Sequence, residues 1–120
     1  MVKIRLGNVA NSSSTCFMLD LRTEGVADIV SAIVGAGIKE PDEYGRDSGI
    51  LVGSKELTGL ADILDDEWLF DISEFLRKGI SSIGESAVFV RSSDEGIGGY
   101  IPDEIEDKME KLAIYQMDYH

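Results

Sequence analysis

The chain has 120 residues, with 23 acidic against 11 basic side chains, a formal charge of −12, one cysteine and one histidine. That length suits one domain, residues 1–120, with a core of its own, and 43% apolar with 28% charged residues excludes a disordered acidic tail. A lone cysteine excludes an internal disulfide. The opening Met1-Val2-Lys3-Ile4-Arg5 has no export character, and the apolar stretch from Val26 to Ile38 holds Asp28 and is too short for a bilayer, so a cytoplasmic domain is expected.

Val2 to Leu6 alternates as a half-buried strand does, and Gly7-Asn8 closes it with turn residues. A polar loop over Asn11 to Ser14 precedes a second strand, Thr15 to Leu19. Its unbroken apolar character predicts burial on both faces, with Cys16 as a small core residue. Thr23 can cap a helix whose stripe is Val26, Ile29, Val30, Ile33 and Val34, with Gly35 and Gly37 at its exit. A charged loop from Glu40 leads to a short buried strand, Gly49 to Gly53. Ser54 can cap a helix with Leu57, Leu60, Ala61 and Leu64 inward. Asp65 or Asp66 can cap the next, with Trp68, Leu69, Ile72, Phe75 and Leu76 as a core stripe and Gly79 as its stop. Ala87 to Val90 reads as another strand, and Ser92 to Gly99 as a polar loop. Pro102 opens a final helix whose first-turn carboxylates Asp103, Glu104 and Glu106 suit the dipole, with Ile105, Met109, Leu112 and Met117 inside.

The expected order is β-β-α-β-α-α-β-α. This makes a small α/β or α+β domain, one sheet of about four strands covered by helices. The strand order does not follow from the pattern.

The residue inventory limits chemistry more than it suggests any. Structural zinc needs about four Cys or His ligands, and the chain offers Cys16 and His120. A nucleophile system would have to take its base from that terminal histidine. No metal, cofactor or catalytic residue is therefore expected. Gly49 to Glu56 lacks P-loop spacing and places Glu56 where a Mg²⁺-binding hydroxyl belongs. The Gly-rich segments at 35–37 and 96–99 lack the dinucleotide fingerprint. An EF-hand forced onto Ser93 to Glu104 puts Ile97 in a ligand position.

Charge is more informative. Residues 1–39 carry four basic against three acidic groups, whereas residues 40–120 carry seven against twenty. Direct phosphate contacts with nucleic acid and binding to anionic membranes both need clustered cations and are not expected. An acidic face for a basic protein partner is. The candidate partner-binding residues are Glu40, Asp42, Glu43, Tyr44 and Asp47, and Asp62, Asp65, Asp66 and Glu67. Nucleic-acid mimicry is one form that such a face can take. Trp68 stands beside the second cluster, but its helix stripe predicts core burial. The alternative is a small-ligand or anion site, or an enzyme, built from the loops Ser12–Thr15, Gly53–Lys55 and Asp94–Gly99. Ser12, Ser13, Ser14, Lys55 and Asp94 would then have to converge at one end of the sheet. The net charge itself opposes close self-association.

Ile4 to Phe17, with Gly7-Asn8-Val9-Ala10-Asn11-Ser12-Ser13-Ser14, resembles the N-terminal signature of a loose group of small uncharacterised phage and bacterial proteins. Those begin with a basic strand, a Gly-x-Val-Ser-Asn step, a serine run and Phe. Here Ala10 replaces the usual Ser, Asn8 a frequent aromatic residue, and Thr15-Cys16 ends the serine run. The resemblance implies a phage or prokaryotic, non-secreted origin, hence an accessory role such as a modulator or inhibitor of a host protein in the host cytoplasm. It says nothing about activity.

Overall fold

The computed structural model describes residues 14–41, 48–93 and 100–119. The expected strand over Val2 to Leu6 lies outside these residues. Among the described residues, four strands and four helices run in the order β1 (Ser14–Asp20), α1 (Val26–Gly35), β2 (Gly49–Val52), α2 (Ser54–Asp66), α3 (Phe70–Ile83), β3 (Ala87–Ser93), α4 (Asp103–Leu112) and β4 (Tyr115–Tyr119), with a 3-10 turn over Gly84–Ser86. The domain is of the α/β class with one four-stranded sheet. Its expected composition is corrected at the C-terminal end, where the described sheet gains the strand Tyr115–Tyr119.

The sheet order is β2-β3-β1-β4 and every neighbouring pair is antiparallel. β1 and β2 therefore run the same way with β3 between them, and β3 and β4 run the same way with β1 between them. These two interleaved crossovers are the split βαβ arrangement of ferredoxin-like sheets. The helical pair α2–α3 fills the link from β2 to β3.

Why these residues take these places follows from burial. Cys16 to Leu19 and Ala87 to Val90 are buried without a break, so β1 and β3 have to be the inner strands. Alternation then sends Cys16, Met18, Ala87 and Phe89 to one face, where they pack with Leu57, Leu64, Ile72 and Leu76 of α2 and α3. Phe17, Leu19, Val88 and Val90 go to the other, with Ile29 and Ile33 of α1 and Met109 of α4. Each fully buried large apolar side chain contributes about 1.5–3 kcal/mol, ample to hold α1 despite its β-branched content.

Several local expectations are corrected. Thr23 does not cap α1: its carbonyl closes the preceding turn on Val26, and Gly25 is the cap at φ 94°, a conformation that favours glycine. Val34 falls off the buried stripe, because about 100° per residue carries it well past Val26, and it is 57% exposed. Ser54 is the first residue of α2, after the cap at Gly53. Asp65 and Asp66 belong to the end of α2 and cap nothing; Leu69 precedes α3.

Gly79 does not stop α3. It lies on the buried face, where a Cβ would collide with the Met18 side chain, so its role is close approach to β1. β3 continues through Ser92 and Ser93, both buried, and the Ser93 amide donates to Ser48 Oγ at 3.0 Å. Glu106 is on the inner face of α4 and is buried as well as lying near the helix start. α4 ends at Leu112 instead of reaching Met117, because the Ile114 amide bonds to the Met18 carbonyl at 2.8 Å and commits the chain to the free edge of β1. No helix among the described residues is long and apolar enough to cross a membrane.

Candidate functional site

The α2–α3 corner is where the fold and the acidic sequence meet. With Leu57, Leu60, Ala61 and Leu64 inward, α2 turns Asp62, Ile63 and Asp66 outward. Its exit is a Schellman motif. The Trp68 amide donates to the Asp65 carbonyl (3.2 Å) and the Leu69 amide to the Leu64 carbonyl (2.9 Å), while Leu69 tucks against the core near Leu64. The residue at the left-handed position of this motif is Trp68, at φ 62°.

Glycine is the economical choice there, since a side chain in that conformation costs roughly 1–2 kcal/mol. Trp68 offers no core burial in return: it is 79% exposed, which corrects its expected place on the core stripe. The stripe misleads because Trp68 and Leu69 lie between two helices and not in one. Trp68 meets Phe70 edge to face, centroids 5.7 Å apart and planes at 67°, and Phe70 is itself 52% exposed. Exposed Ile63 lies one turn upstream on α2.

Carboxylates surround this apolar corner, and they divide into two kinds. Arg77 of α3 reaches Asp62 at 2.8 Å and Asp65 at 2.6 Å. A hydrogen bond from Ser73, then the Arg77 contact, holds the Asp65 carboxyl below its ordinary value. These contacts clamp the two helices together, so Asp65 and partly Asp62 are occupied within the fold. Asp66, Glu67 and Asp71 are exposed and flank Trp68 and Phe70. Of the other acidic cluster, Glu40 is exposed; Asp42, Glu43, Tyr44 and Asp47 lie outside the described residues.

Of the residues of the ligand-site alternative, the two that are described, Ser14 and Lys55, lie toward opposite ends of the sheet. Ser12, Ser13 and Asp94 lie outside the described residues. Ser14 is buried opposite Ser93 at one end of the sheet, whereas Lys55 follows Gly53, whose amide bonds to Ala87 at the other end. The length of β3 separates them, about 20 Å at some 3.3 Å per residue.

Sequence reasoning missed the exposure of Phe70 and the position of Arg91. Arg91 is fully buried opposite Cys16, its guanidinium 5.9 Å from the Phe89 ring centroid. Burial pushes the Cys16 thiol up, opposed in part by Arg91. No signal in the local pattern marks Arg91, since a basic residue after an apolar strand ordinarily leaves the sheet. Phe70 could have been found by noting that two aromatics and a carboxylate run crowd one helix end. Among the described residues no cluster of three or more His, Cys, Asp or Glu could hold a metal. Comparison with protein-family models, with curated proteins and with solved structures gave no match.

Proposed function

We propose that the protein is a non-enzymatic interaction module whose α2–α3 corner docks a basic protein partner. The observation that carries this reading is Trp68. An aromatic side chain held largely in solvent, at a backbone angle that suits glycine, serves neither core nor turn. Such strain in an exposed residue is found where a surface has work to do. Trp is also the side chain most enriched among interface anchors.

The surrounding charge selects the partner's chemistry. Asp66, Glu67 and Asp71 favour lysine and arginine, which can lie on the Trp68 and Phe70 rings as well as pair with the carboxylates. The −12 charge of the chain speeds the encounter and makes it salt-sensitive. In the phage or bacterial setting that the N-terminal resemblance implies, the partner is a basic host protein whose activity is modulated by being covered.

Trp68 is the single tryptophan, so its fluorescence reads the corner directly. The probe is a synthetic peptide with lysines and arginines flanking a central apolar stretch. Emission should shift on titration, less so at high salt. Trp68→Ala, followed by peptide fluorescence, and the pair Asp66→Lys with Glu67→Lys should each weaken binding at least tenfold, roughly the loss of one hot spot. Asp103→Lys with Glu104→Lys on α4 should change it less than about threefold. Equal losses from both pairs would mean that net charge, and not this corner, binds the peptide.

A further inference from the structure

The α2–α3 corner presents two aromatic walls and not one flat patch. The Trp68 and Phe70 rings meet at 67° with centroids 5.7 Å apart, and both side chains are exposed. Glu67 adjoins Trp68 in the chain, Asp71 adjoins Phe70, and Asp66 closes the last turn of α2. All three carboxylates are exposed, and among the described residues none of them makes an ion pair. Open ring faces and uncommitted carboxylates thus stand side by side. The group best matched to the corner is one that satisfies both at once.

We propose that the corner selects arginine over lysine: a guanidinium of the partner lies flat on the Trp68 ring, with its rim bonded to the neighbouring carboxylates. This rests on the docking role proposed above and names the side chain that the partner has to present. The two cations differ in shape and hydration. A guanidinium is a plate with weakly hydrated faces and five N–H donors in its own plane, so a ring can take the face while carboxylates take the rim. An ammonium is a compact, strongly hydrated point charge, and it has to shed water to touch a ring. Helix α3 carries an example of each. One terminal nitrogen of Arg77 bonds to both Asp62 and Asp65, at 2.8 and 2.6 Å. Lys78 holds its Nζ 4.4 Å from the Tyr115 ring centroid and makes no ion pair among the described residues. That ammonium serves a ring alone, whereas the corner offers rings and carboxylates together.

The test is isothermal titration calorimetry of the full chain with two synthetic peptides, identical except that one carries arginines where the other carries lysines. The arginine peptide should bind at least about fivefold more tightly. Trp68→Leu removes the π face and keeps an apolar side chain, so it should bring the two peptides within about twofold of each other. Its melting temperature is checked first, and Trp68→Gly, which relieves the backbone, takes its place if the leucine form unfolds early. Asp66→Asn with Glu67→Gln and Asp71→Asn should weaken the arginine peptide at least about tenfold. Screening weakens the ion pairs that both peptides make and spares the stacking, so the preference should hold or widen at high salt. Equal affinities for the wild-type chain overturn the inference and leave the docking of basic partners standing. So does a preference that survives loss of the Trp68 ring, or one that disappears at high salt. If neither peptide binds, or both bind undiminished after the Trp68 and carboxylate changes, the docking role fails and this inference fails with it.

Discussion

Replacing Trp68 by glycine and by alanine measures the backbone conformation on which the proposed interaction site depends. Both changes delete the ring and its contact with Phe70, so their difference isolates the backbone. At φ 62° alanine keeps the left-handed penalty of roughly 1–2 kcal/mol, which glycine escapes. Against this, glycine frees the unfolded chain by about 0.4–1 kcal/mol. Trp68→Gly should therefore be more stable than Trp68→Ala by about 1 kcal/mol. For 120 residues the entropy of melting is about 250 cal/mol/K, so the gap is about 4 °C in Tm.

Gly59 supplies the control. It lies mid-helix in α2, exposed, and a Cβ there meets nothing within 4 Å. Gly59→Ala should raise stability by about 1 kcal/mol, since alanine is the better helix former. The order of glycine and alanine thus inverts between two positions nine residues apart, as scanning calorimetry of the three variants will show. If Trp68→Ala melts at or above Trp68→Gly, residue 68 is not left-handed, and the argument that its strain serves docking fails. Both variants should also lose peptide affinity. The glycine form would then show that a better turn makes a poorer interface.

Two further outcomes test the core. Gly79→Ala should destabilise by about 1–3 kcal/mol, because the new methyl must displace Met18 between α3 and β1; a urea midpoint unchanged from wild type would contradict that packing. Cys16 makes stability fall at high pH. Burial raises its thiol above the ordinary value of 9.0, so the unfolded chain ionises first; the contribution is complete below pH 9.0 and is lost as pH rises from there through the folded value. The stability of wild type relative to Cys16→Ala, followed by urea unfolding from neutral to strongly alkaline pH, should decline across that window, and a flat difference would refute the buried neutral thiol.

The acidic second cluster was legible from composition, but which of its members are available was not. Asp62 and Asp65 look like Asp66 and Glu67 in the sequence, and only the approach of α3 brings Arg77 to the first two. Trp68 was visible as an aromatic beside carboxylates, yet its spacing matched the apolar stripe of the following helix. The helix break fell at a residue whose type ordinarily argues against a left-handed turn. For the ligand-site alternative, the distance between Ser14 and Lys55 follows from pairing register and could not be read from the sequence.

By itself the sequence determined the burial of β1 on both faces and the inward face of α2. Unbroken apolar runs such as Cys16 to Leu19 can satisfy burial only between two layers, and a stripe such as Leu57, Leu60, Ala61 and Leu64 has one possible inward side. Only tertiary structure decided the order β2-β3-β1-β4, the conversion of Tyr115–Tyr119 from helix end to edge strand, and the exposure of Trp68 and Val34. The physical reason is range. Periodicity and capping act over a few residues along the chain, whereas β4 exists because the Ile114 amide finds Met18, nearly a hundred residues away, with an unpaired edge to offer.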